Sequence, residues 1–120
     1  MTVYIKGVRE TPAAADGRRV LVDRLWPRGL TTEAVAHDDW LPQLGASREL
    51  RRWYGRDATR YEEFEHRYRQ ELDHSGALAD LAEIVAEHPT VTLLVDSRDV
   101  AHSKAAVLRD LVAPAGGAPR

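Results

Sequence analysis

Val91-Thr92-Leu93-Leu94-Val95, running directly into Asp96-Ser97-Arg98, is the stretch on which the fold turns. Its apolar residues are nearly continuous rather than alternating. That pattern suits a strand buried on both faces, as in a parallel sheet. Working outward, Val20-Leu21-Val22 repeats it and runs into Asp23-Arg24. Val3-Tyr4-Ile5 is a third, shorter strand candidate, rich in β-formers.

Helices fill the space between the second and third strands. Trp40, Leu41 and Leu44 form an apolar patch with Pro42 suited to a first turn. His37-Asp38-Asp39 reads as the start of that helix. Leu50, Trp53 and Tyr54 follow at helical spacing behind Ser47, a good N-cap. Thr59-Arg60-Tyr61-Glu62 matches a capping box, opening a helix with Tyr61, Phe64, Tyr68 and Leu72 on one face. Leu78, Leu81, Ala82 and Val85 give an amphipathic helix that stops before Pro89. Val107, Leu108 and Leu111 mark a last helix, closed before Pro114. The order strand, strand, helices, strand, helix predicts a right-handed βαβ-type unit. The expected fold is a small single α/β domain over residues 1–112. Its short, mostly parallel sheet is flanked by helices, with a Rossmann-like three-layer tendency. A helical domain with a minor sheet is the alternative. Residues 113–120 read as a frayed tail.

The chain has 120 residues, room for one domain and no second full-sized one. It contains no cysteine, which excludes disulfides, thiolate nucleophiles, persulfide carriers and zinc-thiolate sites. Net charge is -2, so bulk attraction to nucleic acid or anionic membrane is not expected. No run approaches the roughly 18 apolar residues of a membrane span, and the N-terminus lacks an apolar signal core. The expected location is the cytoplasm. Arginine is in large excess over lysine, whose only positions are Lys6 and Lys104.

Ligands of open parallel sheets bind outside the carboxyl ends of the strands. There lie Asp23-Arg24-Leu25-Trp26-Pro27-Arg28-Gly29 and Asp96 to Lys104. Arg24, Arg28 and Arg98 are candidates to grip a phosphate or carboxylate in bidentate fashion. The first turn of the last helix adds free N–H groups, and His102 is a candidate catalytic proton donor or acceptor. The bland alternative makes these charges a structural corner, with Asp99 as helix N-cap and the arginines paired to carboxylates. Asp23 and Asp96 raise the idea of a magnesium pair, but no Gly-rich phosphate loop accompanies them, and neither a metal nor a cofactor is assigned. No two histidines have the i, i+4 spacing of a zinc pair. The arginines from Arg48 to Arg69 interleave with Trp53, Tyr54, Tyr61 and Tyr68, a nucleic-acid signature. Glutamates among them favour surface ion pairs instead. The leading expectation is a small-anion site, phosphate-bearing or nucleotide-like, with the reaction unassigned. A non-catalytic module binding nucleic acid or protein through the Arg-aromatic helices is the alternative.

The segment Leu21-Val22-Asp23-Arg24-Leu25-Trp26-Pro27-Arg28-Gly29-Leu30 resembles the signature of the domain-of-unknown-function family 488, in its short YeaO-like branch. The resemblance continues through Trp40-Leu41, Glu49 to Gly55, Glu63-Phe64, Arg67-Tyr68 and Glu71-Leu72. It ends in Thr92-Leu93-Leu94, Arg98-Asp99, His102 and Val107-Leu108. It implies a compact, usually bacterial and cytoplasmic α/β domain and supplies no activity. It strengthens Arg24, Trp26, Arg28, Arg98 and His102 as pocket members, and brings Arg51, Arg52 and Trp53 toward the same rim. The chain departs from the family pattern at Thr32, Pro42, Arg56 and Ser103. Asp96 is not a family position, which weakens the magnesium pair.

Overall fold

Four strands, all paired in parallel, form one sheet in the order β1-β4-β2-β3 in a computed structural model that describes residues 2–113. They are β1 (Thr2–Gly7), β2 (Arg18–Leu21), β3 (Asp39–Trp40) and β4 (Thr90–Val95). The helices are α1 (Thr32–Val35), α2 (Arg48–Tyr54), α3 (Tyr61–Ser75), α4 (Leu78–Glu87) and α5 (Lys104–Val112). The frayed tail expected from residue 113 lies, beyond Ala113, outside the described residues; the Ala113 N–H itself closes α5 on Arg109 O at 2.9 Å.

The continuous apolar runs are buried on both faces, as their composition requires. Val91, Leu93 and Val95 of β4 point with Val3, Val20 and Val22 into the larger core, against Leu50, Phe64, Leu81 and Leu108 of the helices. Leu94 and Leu21 point the other way, into a small cluster with Val8 and Val35, edged by Trp26 and Leu30. Beside it the second face carries a polar network. Arg19 and Thr92 are buried there, and the Thr92 hydroxyl donates to Asp16 O at 2.7 Å.

Three local expectations are corrected. His37-Asp38-Asp39 does not start a helix; Asp39–Trp40 pairs with Val20 and Leu21 as a short edge strand. Tertiary contacts make it so, since Arg18 holds the Asp39 carboxylate at 2.8 Å. The capping box at Thr59 does not form. Asp57 accepts from both the N–H and the hydroxyl of Thr59, so the chain makes a single tight turn, Ala58–Arg60, before α3 begins at Tyr61. Asp99 caps the turn Val100–His102, not α5, which starts at Lys104 behind Ser103 without a side-chain cap.

Ser47 caps α2 as expected, accepting from Leu50 N at 3.1 Å. The Glu71 carboxylate of α3 then accepts from Ser47 N at 2.8 Å and from its hydroxyl, which fixes α2 against α3. Tyr68 is the largest fully buried side chain, and its hydroxyl donates to Leu44 O. Tyr68→Phe removes the only donor that the side chain brings to that buried carbonyl. It should lower the unfolding free energy by about 1–3 kcal/mol, read from the midpoint of urea unfolding.

Candidate functional site

The β2 and β4 ends open into one cleft of about 570 Å³. Parallel pairing of β2 with β4 sets Asp23 and Asp96 side by side at its floor. Asp23 is buried and fully engaged. One carboxylate oxygen accepts from the Lys104 ammonium, the other from Asp96 N at 2.7 Å, and its backbone carbonyl accepts from the Trp40 indole at 2.7 Å. Asp96 faces Arg9 at 3.4 Å. Both carboxylates of the magnesium idea thus have cationic partners of their own.

The walls are built from residues far apart in sequence. Arg24 curls back so that its guanidinium donates to Gly45 O at 2.7 Å and Ala46 O at 3.2 Å. Trp26 is half-buried, its indole N–H given to Leu30 O at 2.7 Å. Its ring meets those of His37 and Trp40 edge-on, at centroid distances of 5.3 and 5.5 Å. Arg28 is exposed at the mouth. Opposite lies the segment before α5. There the Tyr54 hydroxyl donates to His102 O at 2.8 Å and the Tyr61 hydroxyl to Ser103 O at 2.9 Å. Burial pushes the Tyr61 phenol up to about 12, helped by nearby Glu65, so it is a neutral donor at any ordinary pH. His102 lines the cleft with its Nδ1 against the Asp99 carboxylate at 2.8 Å and its ring edge-on to Tyr61.

The structure brings Arg24, Trp26, Arg28 and His102 together in this cleft. It places three other candidates elsewhere. Arg98 lines an adjoining cleft with Gly7, Arg9 and Val100. Arg52 lines an outer groove with Leu25, Arg48 and Arg51. Trp53 lies on neither; its ring is stacked by Arg67 at 4.3 Å and Arg60 at 5.4 Å. Those two arginines also pair with Glu63 and Asp57. Of the Arg-aromatic stretch, Arg60, Arg67 and Arg69 are thus paired on their own surface.

The cleft also holds Arg51, Tyr54, Arg56 and Lys104. Arg56 has a left-handed backbone, φ 63°, directly after Gly55 at φ 54°. For a non-glycine residue that conformation costs about 1–2 kcal/mol, and it turns Arg56 back toward the strand ends. The Arg51 Nε is buried without a hydrogen-bond partner.

Ion pairing divides the described arginines in two. Arg9, Arg18, Arg19, Arg60, Arg67, Arg69 and Arg109 each have a carboxylate within 4.0 Å. Arg24, Arg28, Arg48, Arg51, Arg52, Arg56 and Arg98 pair with no described carboxylate, and all of them line the cleft or the two grooves that share residues with it.

Residues 2–116 match the family DUF488-N3i, described as an inactive DUF488-N3 subclade. Uncharacterized proteins of Mycobacterium tuberculosis and Mycobacterium bovis are 42% identical over 110 residues, 92% of either chain. The Escherichia coli protein YeaO is 35% identical over 111 residues, covering 92% of this chain and 96% of YeaO. No solved structure matches. No described helix is long and apolar enough to cross a membrane. A family match over nearly the whole length, together with relatives aligned almost end to end, shows that the chain belongs to the DUF488-N3i family.

Proposed function

We propose that the cleft at the carboxyl ends of β2 and β4 binds a compact anion, phosphate-bearing or nucleotide-like. The observation that carries this reading is the sorting of the arginines. The arginines that line the cleft itself have no described carboxylate partner, whereas Arg18, Arg19, Arg60, Arg69 and Arg109, away from it, each have one. Arg9, in the adjoining groove, pairs with Asp96. Arg28, Arg51 and Arg56 would face the ligand, with Arg24 held in place by backbone carbonyls. Guanidinium forks match phosphate and carboxylate oxygens bidentately, and charge-assisted hydrogen bonds are about twice as strong as neutral ones. The buried, unpartnered Arg51 Nε and the left-handed Arg56 are both features that a bound anion would repay. His102, anchored through Nδ1, would offer its other ring nitrogen to the ligand. The description of the subclade as inactive favours recognition over turnover, so no reaction is assigned. A phosphorylated ligand also implies the cytoplasm, where such metabolites are retained.

Thermal unfolding with inorganic phosphate, nucleotides and dicarboxylates tests the reading. A specific binder should stabilise the chain by about 2.7 kcal/mol at a hundredfold excess over its dissociation constant. Arg28→Ala and Arg56→Ala should each lose most of that gain while melting like the parent without ligand. Equal stabilisation of parent and variants would refute the site.

A further inference from the structure

Leu25 is 64% exposed, more than any other large hydrophobic side chain of the described residues. It lines the edge of the cleft and, on its outer side, a groove whose other walls are Arg48, Arg51 and Arg52 of α2. These three stand at i, i+3 and i+4, so they share one helical face. None pairs with a described carboxylate. Arg48 is in the first turn of α2, where a cation opposes the helix dipole, so local helix stability does not explain it. Ser47 and Glu71 hold the helix rigidly in this pose.

We propose that this groove docks an extended acidic segment of a protein partner. One apolar side chain would cover Leu25, and two carboxylates would meet Arg48 and Arg52. The spacing fits. Four residues of helix separate Arg48 from Arg52 by about 6 Å along the axis. Residues i and i+2 of an extended segment lie about 6.6 Å apart on one face. The recognised pattern is therefore apolar-x-acidic-x-acidic. A nucleic acid strand fits less well. Leu25 presents no aromatic face for a base to stack on. Glu49, exposed on the same short helix, would repel a continuous polyanion. The groove shares Leu25 and Arg51 with the anion cleft, but the two carboxylates would meet Arg48 and Arg52, which lie outside it.

The probe is a fluorescein-labelled peptide, Leu-Ser-Glu-Ser-Glu-Ser, followed by fluorescence anisotropy against the full chain. The parent should bind it saturably. The double variant Arg48→Ala/Arg52→Ala should weaken binding by at least about tenfold. Leu25→Ser should weaken it by about tenfold, and a peptide with Ser in place of Leu should lose a similar factor. Arg28→Ala should leave peptide binding within about twofold while losing the phosphate stabilisation, which separates this site from the cleft. The substituted side chains are exposed, so melting temperatures should stay at the parent value. Should a variant melt lower, the Leu-less peptide against the parent decides alone. Absence of peptide binding, indifference to Leu25 and to the peptide's own Leu, or tighter binding of an oligothymidylate of equal charge overturns the proposal.

Discussion

Asp16→Asn should lower the unfolding free energy by about 3–5 kcal/mol, the cost of leaving a buried charge without its partner. Asp16 lies in a tight turn, Ala14–Asp16, against the second face of the sheet, and both it and Arg19 are buried. Its carboxylate accepts from Arg19, from the Lys6 ammonium at 3.0 Å and from Ala13 N at 3.0 Å. Arg19 is otherwise satisfied by the carbonyls of Ala36 at 2.9 Å and Val35 at 2.8 Å, which tie β2 to the end of α1. An asparagine keeps the shape and the bond from Ala13. It removes the one described carboxylate that pairs with Arg19, so that guanidinium stays buried and uncompensated. A typical domain has about 5–15 kcal/mol in hand, so the urea midpoint should fall steeply at unchanged slope. The pH dependence carries the same signature. Burial by itself pushes the Asp16 carboxyl up, but the bonds from Ala13, Lys6 and Arg19 prevail and hold it below its ordinary value. A depressed carboxyl contributes stability that is complete above the unfolded value of about 3.9 and is lost as pH falls through the folded one. The parent should therefore lose stability below about pH 4 more steeply than Asp16→Asn. Parallel acid profiles would show that the carboxylate is not what holds Arg19.

The strands that carry the sheet's long pairings were legible because burial on both faces leaves a plain trace in composition. Val91, Leu93 and Val95 must be apolar to face the helices, and Leu94 to face the Leu21–Val35 cluster. Asp39–Trp40 leaves no such trace. Two residues have no period, and their strand geometry comes from β2 and from Arg18, both distant in sequence. The helix starts show the same limit. Ser47 works as a cap because nothing nearby competes for Leu50 N. Thr59 fails as one because Asp57, two residues upstream, caps the turn Ala58–Arg60 and draws Thr59 inside it.

Around the site, strand-end position identified Arg24, Arg28 and His102, since a parallel sheet delivers those loops to one rim whatever else the chain does. On α2 the same logic could not choose. Arg51, Arg52 and Trp53 are consecutive, and each step turns about 100° around the axis. They part accordingly: Arg51 reaches both the cleft and the outer groove, Arg52 only the outer groove, and Trp53 faces Arg60 and Arg67. Arg56 depends on two successive left-handed residues, for which Gly55 was the only sequence cue. Arg98 is in the expected loop but opens toward β1, because Asp99 binds back to His102 and turns the segment.

Gly45→Ala should cost about 3 kcal/mol or more and abolish anion stabilisation with it. Gly45 has ordinary extended dihedrals, φ -67° and ψ 143°, so its backbone suits any residue. The constraint is space. An added Cβ would lie 2.3 Å from Arg24 Cβ, 2.6 Å from Arg24 N and 2.8 Å from Arg24 Cα. These atoms belong to the backbone and its first carbon, not to a flexible tip, so the two segments must part. The guanidinium of Arg24 folds across the same contact onto Gly45 O and Ala46 O, and parting removes both acceptors. Asp23, one residue before, would move too, and it anchors Lys104 and the Asp96 N–H on the far wall. Gly76→Ala is the control. Gly76 is left-handed, φ 69°, but an added Cβ there meets nothing within 4 Å. It should cost only about 1–2 kcal/mol of backbone strain and leave phosphate stabilisation intact. Urea unfolding and phosphate-dependent melting on both variants separate strain from collision. Equal losses in stability, with the ligand response kept in both, would mean that Arg24 owes its place in the cleft to something other than its close approach to Gly45.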